Sequence, residues 1–139
     1  MRAAAPPAEK RLPNNFPRVA GALAAMACAA AAHASGSLKV DNALAACVDV
    51  RPGMRATTDG QVLLQAGLDV RQPIGRCGCK SAIAAYTSQV ELDGGRRGFL
   101  QRGALGVKQS GARTLTLASD EKLLGDRNVV LSLRCAAPD

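Results

Sequence analysis

Residues 61–70 read QVLLQAGLDV, and their period decides the fold. Val62, Leu64, Ala66, Leu68 and Val70 fall on one side of an extended chain, with Gln61, Gln65 and Asp69 on the other. Successive side chains of a strand point to opposite faces, so this alternation predicts a strand with one buried face. The same period recurs downstream. Residues 81–92, SAIAAYTSQVEL, set Ala82, Ala84, Tyr86, Ser88, Val90 and Leu92 against Thr87, Gln89 and Glu91. Residues 112–118, ARTLTLA, alternate Leu115 and Leu117 with Thr114 and Thr116. Residues 128–135, NVVLSLRC, alternate Val129, Leu131, Leu133 and Cys135 with Val130, Ser132 and Arg134. Residues 99–107 are interrupted by Gly103 and Gly106 and predict an edge strand with a bulge. Residues 38–50, LKVDNALAACVDV, predict one further strand ending near Val50.

Turn signals separate these runs: Arg51-Pro52-Gly53, Asp59-Gly60, Gln72-Pro73, Asp93-Gly94-Gly95 and Ser110-Gly111. Residues 118–128, ASDEKLLGDRN, hold the one helical turn, capped by Ser119 or Asp120 and stopped by Gly125. About six short strands predict an all-β fold, a small antiparallel β-sandwich of immunoglobulin-like architecture. The core tryptophan of antibody domains has no counterpart, because the chain contains no tryptophan.

The N-terminus has a different character. Arg2, Lys10, Arg11 and Arg18 precede an uninterrupted apolar run at residues 19–32. That run is too short for the ~20 residues of a membrane-spanning helix. It ends in Ala32-His33-Ala34 before Ser35. A basic region, a short apolar segment and a small-x-small site make the pattern of a cleaved secretory signal. Residues 1–34 are therefore expected to be a signal peptide cut between Ala34 and Ser35, and residues 35–139 one disulfide-stabilised domain. The LAAC at residues 44–47 resembles a lipid-attachment site, but Lys39, Asp41 and Asn42 separate it from the apolar segment. A soluble periplasmic or secreted product, with no stable membrane span after cleavage, is the expectation.

Removal of the leader leaves 105 residues with 14 basic and 10 acidic side chains, a net charge of +4. That mild excess favours anionic envelope polymers and falls short of the dense basic patch of a nucleic-acid binder. The one histidine, His33, leaves with the leader. Histidine-dependent triads, histidine metal ligands and histidine pH switches are thereby excluded from the mature chain. Its aromatic residues are Tyr86 and Phe99, too few for a stacking platform. No phosphate-cradling glycine motif, Walker sequence or calcium loop is present. The expectation is a non-enzymatic protein with no cofactor and no resident metal.

Four cysteines remain: Cys47, Cys77, Cys79 and Cys135. An even count in an exported chain predicts two disulfides. If successive strands run up and down, Cys77, Cys79 and Cys135 gather at one pole, with Cys47 partway up the first strand. Cys47 and Cys135 then each reach one member of the Cys77/Cys79 pair. The rival arrangement joins Cys77 to Cys79 across Gly78 and Cys47 to Cys135. That small ring would be strained and easily reduced, and Arg76 and Lys80 would favour a thiolate. Residues 76–80, RCGCK, thus carry an alternative function in thiol-disulfide exchange or soft-metal handling through Cys77 and Cys79.

Arg76, Lys80, Arg96 and Arg97 are the candidate anion contacts. Glu91 and Asp93 flank a turn and read as solvated charges, and Lys80 and Ser81 point to opposite faces of an extended chain. The stretches VDNALAACVDV, RCGCKSA and ASDEKLLGDRNVVLSLRC resemble short exported bacterial proteins grouped only as a domain of unknown function. The resemblance covers nearly all of the mature chain. It implies a periplasmic, β-rich protein and supplies no catalytic residue. The function expected is binding, or a structural role, in the bacterial envelope, with an envelope protein or an anionic polymer as partner.

Overall fold

The alternation of residues 61–70 is realised in the computed structural model, which describes residues 36–137. Val62, Leu64, Ala66 and Leu68 are buried along a strand whose intervening residues are half-buried or exposed. Seven strands occur among the described residues: β1 (Leu38–Asn42), β2 (Val48–Thr58), β3 (Gln61–Val70), β4 (Ile83–Glu91), β5 (Arg97–Gly106), β6 (Gly111–Ala118) and β7 (Val129–Cys135). One sheet has the order β1-β7-β4-β5 and the other β2-β3-β6. Their inward rows meet in one core, in which Leu64, Leu117, Leu131, Val48 and Val129 are essentially inaccessible to water. Full burial of each such side chain contributes about 1.5–3 kcal/mol. The chain is all-β, as its period-two pattern predicts.

Two expectations need correction. The segment expected as one strand is two, in different sheets. Asn42 turns the chain: its side-chain oxygen accepts from Leu44 N at 2.9 Å, and its amide donates to the Val48 carbonyl at 2.7 Å. Asparagine competes with extended pairing through such local bonds. In consequence β1 pairs in parallel with β7, Leu38 beside Val129 and Asn42 beside Leu133, whereas the other pairings are antiparallel.

The second correction concerns Arg51-Pro52-Gly53. No reversal occurs there; β2 continues through a register shift between Pro52 and Arg55, and the reversal falls at Asp59-Gly60. β2 is an edge strand, where proline is tolerated. Gly53 lies so close to β3 that a Cβ would meet the Gln65 carbonyl oxygen at 2.8 Å.

The expected bulged edge strand is β5. Its register shifts opposite Ser88 and Gln89, leaving Leu100 unpaired and buried. The expected helical turn is α1 (Glu121–Leu124), where Asp120 accepts from Lys122 N at 2.9 Å and Leu124 enters the core.

β7 exceeds its sequence pattern, since Val130 and Ser132 on the outward row are also buried. Both lie between register partners in β1 and β4, Lys39 and Gln89 beside Val130, Asp41 and Thr87 beside Ser132. β7 is flanked by a strand on each side, so cross-strand neighbours shield its outward row.

Tyr86 joins the two sheets. Its ring lies over Gly103 of β5, where a Cβ would meet ring atom Cε1 at 2.3 Å. Its hydroxyl accepts from Thr116 N of β6 at 3.2 Å, satisfying a donor on an otherwise open edge. Ser88, one pleat along the same row, is fully buried and its hydroxyl has no partner among the described residues.

These contacts predict opposite responses to hydroxyl removal. Tyr86→Phe costs about 1 kcal/mol by stranding the Thr116 amide, whereas Ser88→Ala leaves stability unchanged or raised. Gly103→Ala displaces the Tyr86 ring and costs about 1–3 kcal/mol. Urea unfolding of the three variants checks the ranking.

Candidate functional site: the disulfide pole

Between β3 and β4 the chain spends residues 71–82 without a strand. A loop of this length inside a small domain needs anchors, because few backbone pairs hold it. Ile74 is one anchor, buried at the start of a 3-10 turn spanning Ile74–Cys77. Gly78 ends that turn at φ 90°, a left-handed conformation suited to glycine, and donates to the Gly75 carbonyl at 3.1 Å. Cys79 N then returns to the Ile74 carbonyl at 3.2 Å.

The other anchors are covalent. Cys77 is bonded to Cys47 and Cys79 to Cys135, with Cα separations of 6.2 and 5.2 Å, inside the usual range for disulfides. Each member of the CxC pair thus reaches one distant partner, and the small Cys77–Cys79 ring is not formed. Cys47 does not stand partway up the first strand, as expected, but at the end of the turn leading into β2. Its amide donates to the Leu44 carbonyl at 2.8 Å. Its carbonyl accepts from Arg71 N at 2.8 Å and Gln72 N at 3.3 Å. The side chains of Arg71 and Gln72 donate to the carbonyls of Ala45 and Ala46. These four hydrogen bonds stitch the loop to the β1–β2 turn.

With all four sulfurs in disulfides, the CxC pair carries neither a thiolate nor a free ligand in this state. Among the described residues no three His, Cys, Asp or Glu side chains are grouped to hold a metal ion. Arg76 and Lys80 flank the bonded pair and are exposed.

The structure separates the candidate anion contacts into two places. Arg96 and Arg97 lie at the far end of β4, where Arg97 pairs with Glu91 and Arg96 Nε donates to the Asp93 carbonyl at 3.3 Å. Glu91, also there, accepts from the Asn128 amide at 3.2 Å, so its contact is an inter-strand tie. Lys80 instead borders an open cavity of about 590 Å³ at the disulfide pole. Arg71 and Lys108 share that rim, and Ile74, Val107, Pro73 and Cys79 supply apolar wall. Sequence reasoning missed Arg71 and Lys108. They are 9 and 28 positions from Lys80, and only the strand order brings the three together.

A second cavity, of about 710 Å³, opens between β2 and α1. Arg55 lines it with charges of both signs, Lys122, Glu121 and Asp126. The Arg55 guanidinium donates through Nη2 to the Gly36 carbonyl, and burial pushes its pKa below the ordinary arginine value. Gly36 is tightly seated, because a Cβ there would meet the Arg127 carbonyl oxygen at 2.2 Å. Ser37 continues the seam, donating from its amide to Asn128 Oδ1 at 2.9 Å. Through Arg55 this cavity therefore borders Gly36, the first of the described residues. Ala34 and Ser35, the expected cleavage pair, lie outside the described residues.

Fold and pole together define an all-β sandwich whose one long irregular loop is covalently bound to both sheets. The family model described as "Uncharacterized protein conserved in bacteria (DUF2195)" matches residues 22–138, and the chain belongs to that family. No curated protein and no solved structure gives a significant match.

The two disulfides differ in the chain they enclose, with sequence separations of 30 for Cys47–Cys77 and 56 for Cys79–Cys135. In the chain-entropy account, removing either costs roughly 2–5 kcal/mol, and the longer enclosure costs about 0.5 kcal/mol more. Chemical unfolding of the paired variants Cys47→Ser/Cys77→Ser and Cys79→Ser/Cys135→Ser tests that order. Peptide mapping without reductant is expected to recover those same two linkages.

Proposed function

We propose that residues 1–34 are an export signal and that residues 35–139 act in the bacterial envelope as a non-enzymatic binding module. The observation that carries this reading is the covalent fastening of the CxC loop to both sheets, Cys77 to Cys47 and Cys79 to Cys135. Disulfides persist in oxidising compartments, and in bacteria that means outside the cytoplasm. The leader has the composition of a secretory signal, and no helix among the described residues is long and apolar enough to cross a membrane.

The binding role follows from what the pole holds. Its cysteines are committed to structure, so the chemistry left at the surface is charge, shape and apolar contact. A net charge of +4 on residues 35–139 favours an anionic polymer or an acidic face of an envelope protein. Rigid loops carried on a β scaffold are a common way to present such a surface.

Full-length protein with a C-terminal tag, expressed in a Gram-negative host and released by osmotic shock, is expected to begin at Ser35 by intact mass. Retention of the leader, or recovery in the cytoplasm with reduced cysteines, overturns the export reading. A robust hydrolytic activity of the purified mature protein, lost on substitution of its own residues, overturns the non-enzymatic one.

A further inference from the structure

The cavity at the disulfide pole has three walls, each fixed by bonds already described or adjoining them. The first is the end of β3 and the start of the loop, Val70 to Gly75, held by the buried Ile74 and by Cys77–Cys47. The second runs from Cys79 to Ala82, held by Cys79–Cys135. The third is the β5–β6 connection. Val107 N donates to the Ala82 carbonyl at 3.0 Å, and Ser110 Oγ accepts from Val70 N at 2.8 Å. The opening is therefore a property of the folded chain and needs no rearrangement to form.

Its chemistry is one-sided. Arg71, Lys80 and Lys108 line it with no carboxylate among the lining residues. Neither ion pair among the described residues, Arg51–Asp69 or Arg134–Asp41, involves any of the three. Arg71 spends one guanidinium nitrogen on the Ala45 carbonyl, which fixes it at the rim. Lys80 and Lys108 are exposed. Below them the accessible apolar wall comes from Val70, Pro73 and Ala82, laid over the almost fully buried Ile74 and Val107. At about 590 Å³ the opening falls in the ~300–1,000 Å³ range of small-ligand sites, where apolar walls give affinity and a few polar groups give orientation.

We propose that this cavity binds an amphiphilic organic anion, with its carboxylate or phosphate head at Lys80 and Lys108 and its apolar body against Val70, Pro73 and Ala82. The proposal deepens the binding-module reading by assigning its ligand class and place. Two disulfides on one loop give that loop a fixed shape, and fixing a site beforehand lowers the entropy lost when a ligand binds. The three cations come from two separate connections, Arg71 and Lys80 from the two ends of β3–β4 and Lys108 from β5–β6, so the anion contact exists only in the folded domain.

The test titrates oxidised residues 35–139 with decanoate and with decyl phosphate below their micelle concentrations, read by amide NMR shifts and calorimetry. Acetate and inorganic phosphate test the head alone, and decyltrimethylammonium tests the sign of charge. Saturable shifts confined to residues 70–82 and 107–110 are expected with the two decyl anions and not with the cation or the bare heads. Binding by only one decyl anion identifies the head group. Lys80→Gln with Lys108→Gln is expected to weaken binding at least about tenfold, the loss of one charge-assisted contact. Arg96→Gln with Arg97→Gln, at the far end of the domain, leaves it unchanged. No saturable shift with either decyl anion, shifts located elsewhere, or equal affinity in the two double variants overturns the proposal. None of these outcomes bears on whether the leader is cleaved, so failure here and failure of the export reading are separable.

Discussion

Gly78 stands between two covalent bonds that run to opposite sheets. On one side Cys77 is tied to Cys47, the residue before β2 in the three-stranded sheet. On the other Cys79 is tied to Cys135, the last residue of β7 in the four-stranded sheet. Two sheets that share an apolar core are otherwise held by contacts with little directional preference. A three-residue unit anchored in both fixes their separation at one pole, and the left-handed turn at Gly78 lets the two sulfurs diverge.

Along one flank the corresponding job falls to Tyr86. It starts in the four-stranded sheet, fills the space left by Gly103, and ends on a backbone amide of the three-stranded sheet. The covalent link sits where the chain has no strand, and the hydrogen-bonded link between two strands, beside the register shift at Val62 and Leu63. The division has a physical reason. A loop with few ladder bonds loses most order without a staple, whereas a strand edge needs only its open donor satisfied.

The strands were legible because burial on one face writes itself into a period of two, and Val62 to Leu68 or Leu115 and Leu117 show it without interruption. The bulged β5 was legible for the opposite reason, its glycines breaking that period. What misled was local. Asn42 ends β1 through side-chain bonds to Leu44 and Val48, which the surrounding apolar residues conceal. Pro52-Gly53 looks like a turn yet lies in an edge strand, because the signal for a reversal and for a bulge is the same pair of residues. At the pole, the cysteines could be seen but their pairing could not, since four cysteines admit three pairings. Lys80 was visible as a flank of the CxC pair. Its companions Arg71 and Lys108 were invisible, because nearness in that cavity is created by strand order and leaves no mark on spacing.

The parallel pairing of β1 with β7 sets a timetable. A ribosome or an export channel delivers the chain in order, and the partner of Leu38–Asn42 is the segment Val129–Cys135 at the other end. The first strand therefore waits for nearly the whole domain before it has a ladder to join. Cys135 is likewise the last cysteine to arrive, so Cys47, Cys77 and Cys79 are all in place before the partner of Cys79 is. The turn that brings Cys47 beside Arg71 and Gln72 is built from residues already delivered by then. Its hydrogen bonds hold Cys47 close to the loop that carries Cys77, whereas Cys79 finds its partner only in the final strand.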